Sequence, residues 1–322
     1  MELPPDVLQF LARQSLSICQ RVREQAHGRH PTTSRARGRD FAEYRPYAAG
    51  DEPREIDWRA TARLERVMIR QTEGERRLNL SVALDAGGAM RYGEGGARRW
   101  SYARALTFAL GRLAHAQADA LGVLAGTDGA AIPLALPPAP RHAAPARLLD
   151  ALERVRPAGV CPWDELFAIL PRPERRRGGL VVLTDLLDPG PDAHVSPTRA
   201  AEDLLLRLAE YAALGPHVVV IQLLHPDELE FPWRTADQLQ FECLRGQHLT
   251  VETHAAAARD AYLASLREHL DAVDAAAARV HLPLLRVRTD APMVETLSRL
   301  LEALATGHAA PDARASVEEA TA

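Results

Sequence analysis

LNLSVALD, residues 78–85, identifies the architecture of the chain. It is apolar almost throughout, which is the pattern of a strand covered on both faces, as in a parallel sheet between two layers of helices. GGLVVLTD at 178–185 has the same character, and both runs end in aspartate, Asp85 and Asp185. Further strands are expected at 120–126 (ALGVLAG), 217–224 (HVVVIQLL) and 282–290 (LPLLRVRTD). AAIPLAL at 130–136 is assigned to a sheet edge, because Pro133 has no N–H to give a central ladder.

Between these runs the apolar spacing becomes helical. A helix is expected over 98–117, with Trp100, Ala103, Leu106, Leu110 and Leu113 on one side. Others are expected over 145–156, 163–170, 197–214, 253–279 and 291–305. In the long helix at 253–279 the buried stripe is Leu263, Leu266, Leu270 and Val273. QFECLRGQHLTVE reads as a hairpin turning at 245–247. Strands alternating with helices make a doubly wound, mostly parallel α/β sheet. Such sheets bind ligands beyond the carboxyl ends of their strands, where Asp85 and Asp185 fall.

The N-terminal quarter is of another kind. Residues 4–25 read as an amphipathic helix with Leu8, Leu11, Ile18 and Val22 as its stripe. HGRHPTTSRARG at 27–38 is a polar, Arg-rich linker. RDFAEYRPYAAGDEPREIDW at 39–58 mixes Tyr44, Tyr47 and Trp58, expected as core staples, with charges of both signs. Pro46 and Gly50-Asp51 punctuate it as turns. ARLERVMIRQ after it reads as extended.

The segment RDFAEYRPYAAGDEPREIDWRATARLERVMIRQTEGER (39–76), followed by a strand ending in Asp85 and a small-residue loop closed by Met90, resembles the family called domain of unknown function 58, a relative of von Willebrand factor A-like proteins. The resemblance implies an A-type, Rossmann-like α/β domain over 77–306. Residues 1–76 are expected to form a helix, a linker and a signature segment packing on that domain, and 307–322 a disordered tail. The resemblance implies as partner a MoxR-type AAA+ ATPase, with other von Willebrand factor A-like proteins as further candidates; within the segment the charges Arg45, Asp51, Arg54 and Asp57 are the candidate partner-binding residues. It implies no known reaction. A-type domains hold a divalent cation in a metal-ion-dependent adhesion site whose first loop reads Asp-x-Ser-x-Ser. Here the loop is Asp85-Ala86-Gly87-Gly88-Ala89, so both hydroxyls are replaced. Asp85 and Asp185, with Thr184 and Thr127 nearby, are what is left of a degenerate site, and Mg²⁺ is its one candidate ion because that cation accepts one or two carboxylates plus waters.

Composition narrows the function. All 39 basic residues of the 322 are arginine, which removes the Walker A lysine, the Schiff base and the lysine general base. No GxSxG elbow, HExxH or CxxC occurs, and the three cysteines are far apart. The net charge of -4 gives no global attraction to nucleic acid, and the ten acids interspersed among the arginines of 21–77 cancel much of the local field. No run of eighteen apolar residues exists, so neither membrane insertion nor a signal peptide is expected, and the expected compartment is the cytoplasm. The reading is a non-enzymatic interaction protein, an adaptor or chaperone-like partner of an AAA+ ATPase. The alternative is a metal-dependent enzyme or ligand receptor built on Asp85 and Asp185.

Overall fold

A computed structural model describes residues 3–18, 40–46, 58–64, 66–73, 78–95, 98–128, 132–171, 178–188, 195–233, 238–245 and 250–307. The chain divides into two compact units, one of 1–21 with 78–322, the other of 22–77.

The larger unit is organised by a six-stranded sheet in the order β10-β7-β6-β3-β4-β5. Its strands are β3 (Asn79–Asp85), β4 (Ala120–Gly126), β5 (Leu134–Ala139), β6 (Gly178–Thr184), β7 (His217–Leu224) and β10 (Leu284–Arg288). All neighbours are parallel except β4 with β5, which is antiparallel and lies at the edge. Renumbered within the sheet this is the doubly wound order 3-2-1-4-5-6, whose connections reverse direction between β3 and β6. The edge position of β5 follows from its sequence, since Pro137 and Pro138 lack donors for a second partner.

Successive side chains of a strand point to opposite faces, and both faces here are covered. Leu80, Val82 and Leu84 of β3, with Val181 and Leu183 of β6, join one core with α1 (Pro5–Leu11), α3 (Arg99–Ala116), α4 (Pro145–Arg154) and α9 (Met293–Thr306). Ala83, Leu180 and Val182 join the other with α5 (Trp163–Ile169), α6 (Pro197–Ala213) and α8 (Ala255–Arg279). That double burial is why the strands read as unbroken apolar runs. The α8 stripe of Leu263, Leu266, Leu270 and Val273 is buried as its spacing required. A short helix α7 (Pro226–Glu230) follows β7, and a two-stranded hairpin, β8 (Leu239–Glu242) with β9 (Thr250–Thr253), precedes α8.

The N-terminal helix is shorter than expected. It ends at Leu11, and the described residues after it to Ile18 are not helical. Gln117, just past α3, explains the change: its Oε1 accepts the Leu16 N–H at 2.9 Å and its Nε2 donates to the Gln14 carbonyl at 3.3 Å. Leu16 and Ile18 are then buried at a spacing of two, as extended chain requires, and Leu8 is 39% exposed. Helix α1 thus belongs to the α/β unit, whereas a boundary at residue 76 groups it with the signature segment.

In the smaller unit β1 (Asp40–Pro46) pairs antiparallel with β2 (Met68–Glu73), with a register shift between Phe41 and Glu43. The connection carries α2 (Trp58–Leu64), whose last three residues take the start of the run 62–71 that reads as extended; Met68 to Gln71 of that run do lie in β2. The Thr61 hydroxyl accepts the Met68 N–H at 3.0 Å and ties the helix to the strand. Trp58, expected as a core staple, is 68% exposed: it opens α2 two residues, about 200° of helical turn, away from buried Ala60. Arg45 lies on β1, paired with Ile69. Asp51, Arg54 and Asp57, like Tyr47, lie outside the described residues, as do 308–322.

Candidate functional site

The β3/β6 switch point brings Asp85 and Asp185 together. Register places Leu84 beside Leu183, so Asp85 and Thr184 end their strands side by side. Both are buried. Asp85 Oδ2 accepts the Thr184 hydroxyl at 2.8 Å, and Oδ1 accepts the Gly87 N–H at 2.8 Å. Those two bonds favour the carboxylate, but burial first, and then the charge of Asp185, outweigh them and push the Asp85 carboxyl up to about 7.

Asp185, one residue past β6, faces the other layer. Its Oδ1 accepts the Leu187 N–H at 3.0 Å, and its Oδ2 accepts Arg99 Nη1 at 2.7 Å. Arg99 opens α3 and is 2% exposed. The same Nη1 donates to the Ala89 carbonyl at 3.0 Å, and Nη2 is hydrogen-bonded to Glu228 Oε1. Burial works against this guanidinium's charge, while Asp185 and Glu228 more than compensate and hold the pKa above its ordinary value. The other oxygen of Glu228 accepts the His225 N–H at 2.8 Å, closing a capping box at the start of α7. His225 meets Tyr92 edge-on at 5.2 Å, and Arg99 Cζ lies 5.5 Å from the Tyr92 ring centroid. The loops after β3, β6 and β7 are therefore joined through one arginine.

The residues present do not fit a divalent cation of the A-domain kind. A side chain at position 87 would put its Cβ 3.0 Å from Asp85 Oδ1, leaving no room for the first missing serine unless the carboxylate moves. Ala89 replaces the second, and its carbonyl is taken by Arg99. Thr127, the neighbouring-loop candidate, donates instead to the Ala158 carbonyl at 3.2 Å. Among the described residues no group of three or more His, Cys, Asp or Glu could hold a metal ion. Where such a site would concentrate positive charge, a buried guanidinium does so. An Arg with two carboxylates out of water is costly to break, since removing one member leaves the others uncompensated, at about 3 to 5 kcal/mol.

Sequence reasoning found Asp85, Asp185 and Thr184 and missed Arg99 and Glu228. The signal for Arg99 was its position: Arg99, Ala103, Leu106, Leu110 and Leu113 are one continuous stripe headed by a charge, all of it buried. Glu228 was marked by lying three residues after His225 at the head of a helix. Of the partner-binding candidates, Arg45 is placed on β1 and the other three are not described.

The chain has relatives. Over 230 residues, 71% of this chain and 68% of the relative, it is 28% identical to the uncharacterized protein Rv1480 of Mycobacterium tuberculosis H37Rv, and equally so to the uncharacterized protein Mb1516 of Mycobacterium bovis. Among solved structures it is similar to the conserved hypothetical protein BatB from Bacteroides thetaiotaomicron (14% identity, 71% of this chain and 98% of that one, TM-score 0.42). It is also similar to the SpRpn10 VWA domain (11% identity, 70% and 94%, TM-score 0.38). The family described as protein of unknown function DUF58 matches residues 43–272, spanning both the signature segment and the switch point, and the chain belongs to that family.

Proposed function

We propose that this protein is a non-enzymatic interaction protein, an adaptor that works in the cytoplasm with a MoxR-type AAA+ ATPase. The observation that carries the reading is the saturated switch point. Where a doubly wound sheet takes its ligand, both strand-end carboxylates are already engaged by the chain's own donors, Thr184, Gly87, Leu187 and Arg99. That arrangement commits each oxygen of both carboxylates to holding a loop or the arginine, which supports a structural role for the pair. The absence of lysine from the sequence argues in the same direction, since it removes the P-loop route to ATP hydrolysis. No helix among the described residues is long and apolar enough to cross a membrane, which agrees with a cytoplasmic partner.

The signature segment supplies the docking surface in this reading. Trp58 is a large exposed aromatic that follows the charges Arg54 and Asp57 closely in the sequence, and tryptophan and arginine are over-represented among residues that dominate interfaces. Affinity capture with the tagged full-length chain in its native host, under nucleotide-trapping conditions, is expected to recover an AAA+ ATPase. Trp58→Ala and Arg54→Ala are expected to reduce recovery while leaving the fold intact. Recovery of no ATPase, or equal recovery by both variants, overturns the reading.

A further inference from the structure

An arginine-rich site lies near the first and is of opposite character. Arg91, Arg98, Arg104 and Arg156 line a cavity of about 390 Å³, within the usual size range for a small-molecule site. Arg98 precedes α3 and Arg104 is on its second turn, so an 18-residue helix directs its N-terminal end, with its partial positive charge, toward the same region. No acidic residue is among the described residues that line the cavity.

The hydrogen bonds made by these arginines do not neutralise them. Arg98 Nε donates to the Gly93 carbonyl at 3.1 Å, and Arg156 is bonded to the carbonyls of Glu153 and Val155, which are neutral acceptors. Arg104 Nε is buried and has no hydrogen-bond partner. Its guanidinium is pushed below its ordinary value by burial; the Glu153 charge opposes this, and the Arg156 and Arg98 charges add to it. Trp100 and Val155, both buried, complete much of the wall.

Four like charges around a cavity repel one another, and the group that relieves the repulsion is an anion with several acceptor oxygens matched to guanidinium forks. We propose that this cavity is a binding site for a phosphate-bearing small molecule, held by Arg104 and Arg156 with Arg98 and Arg91 at the rim. The apolar wall of Trp100 and Val155 suits a ligand with a ring or carbon body attached to the phosphates. The site is independent of the adaptor reading and uses none of its residues.

Inorganic pyrophosphate and adenosine diphosphate are the probes, added to the full chain at constant ionic strength set with sodium chloride, with thermal unfolding and calorimetric titration as readouts. Pyrophosphate is expected to give a saturable rise in Tm, with Kd raised at least tenfold by Arg104→Gln and by Arg156→Gln. Arg156 is exposed, so its variant keeps the test sound should Arg104→Gln fail to fold. Tighter binding of the diphosphate nucleotide supports an organic phosphate as the ligand; equal binding supports the phosphate head alone. No saturable shift at millimolar pyrophosphate, or an unchanged Kd in a folded Arg156→Gln variant, overturns the site.

Discussion

Arg98 and Arg99 are neighbours in the chain and have opposite fates. Arg99 is taken into the fold, where Asp185 and Glu228 match it with two carboxylates. Arg98 faces a cavity it shares with Arg104, Arg156 and Arg91, and the described lining brings no carboxylate to them. A guanidinium's role is therefore set by which elements converge on it. Arg98 caps α3 in a non-helical conformation (ψ 129°) and Arg99 is its first helical residue, so the backbone changes course between them and sends one charge to a surface hollow and the other to the strand-end loops. Where the acids are the chain's own, the charge is structural; where they are lacking, it is left for a ligand.

The largest expected effect breaks the structural half of that contrast. Arg99→Ala leaves Asp185 and Glu228 buried without their cation, and denaturant unfolding should show a loss of about 3 to 5 kcal/mol. A loss below about 1 kcal/mol would mean that the network contributes little. Arg104→Ala supplies the opposite arm. It removes a half-buried charge that burial disfavours and on which the attraction of Glu153 is opposed by the repulsion of Arg156 and Arg98, so stability should change by no more than about 1 kcal/mol in either direction.

Asp85 gives an intermediate effect with a sign fixed by linkage. Its carboxyl ionises near 3.8 unfolded and at about 7 folded, so the unfolded chain releases this proton first and stability falls as pH rises between those values. The wild type should lose on the order of 4 kcal/mol between pH 4 and pH 8 through this group. Asp85→Asn keeps an acceptor for the Gly87 N–H and should flatten that part of the profile; urea unfolding across the range reads the difference. A variant no more stable than wild type at pH 8 would show that Asp85 is not strained by its charge.

Mg²⁺ sharpens the comparison from the other side. A cation site with micromolar affinity would add about 4 kcal/mol at a thousandfold excess of ion, easily seen as a rise in Tm. With Arg99 already among the carboxylates, millimolar Mg²⁺ should leave Tm unchanged, and a rise abolished by Asp85→Ala would restore the metal reading. Smallest of all is Trp58→Ala, which should alter stability by about 0.5 kcal/mol or less because the side chain is mostly in solvent.

These outcomes also measure how much the sequence discloses. The sheet was legible because burial on both faces leaves an unbroken apolar run, and β3, β6 and β7 have no other reading. Asp85 and Asp185 were legible as strand-end acids. Arg99 was not, because an arginine at a helix start is ordinarily solvated and only the positions of β6 and α7 show what it meets. Residues 12–18 misled through their spacing, since Ile18, seven residues after Leu11, fits a helical stripe and also fits an extended chain pinned by Gln117, a contact more than 100 residues away in sequence. Trp58 misled through its residue type: a large aromatic raises the expectation of burial, and α2 turns it outward.

Arg99 also bears on how the chain is made and used in the cell. A positive charge that is part of the polypeptide arrives in fixed one-to-one stoichiometry with the acids it neutralises, and its occupancy depends on no ionic pool. Chelation cannot remove it and competing ions cannot replace it. Completing the site is the same event as docking the start of α3 on the sheet, so a newly synthesised chain finishes this region as it folds, without a separate loading step.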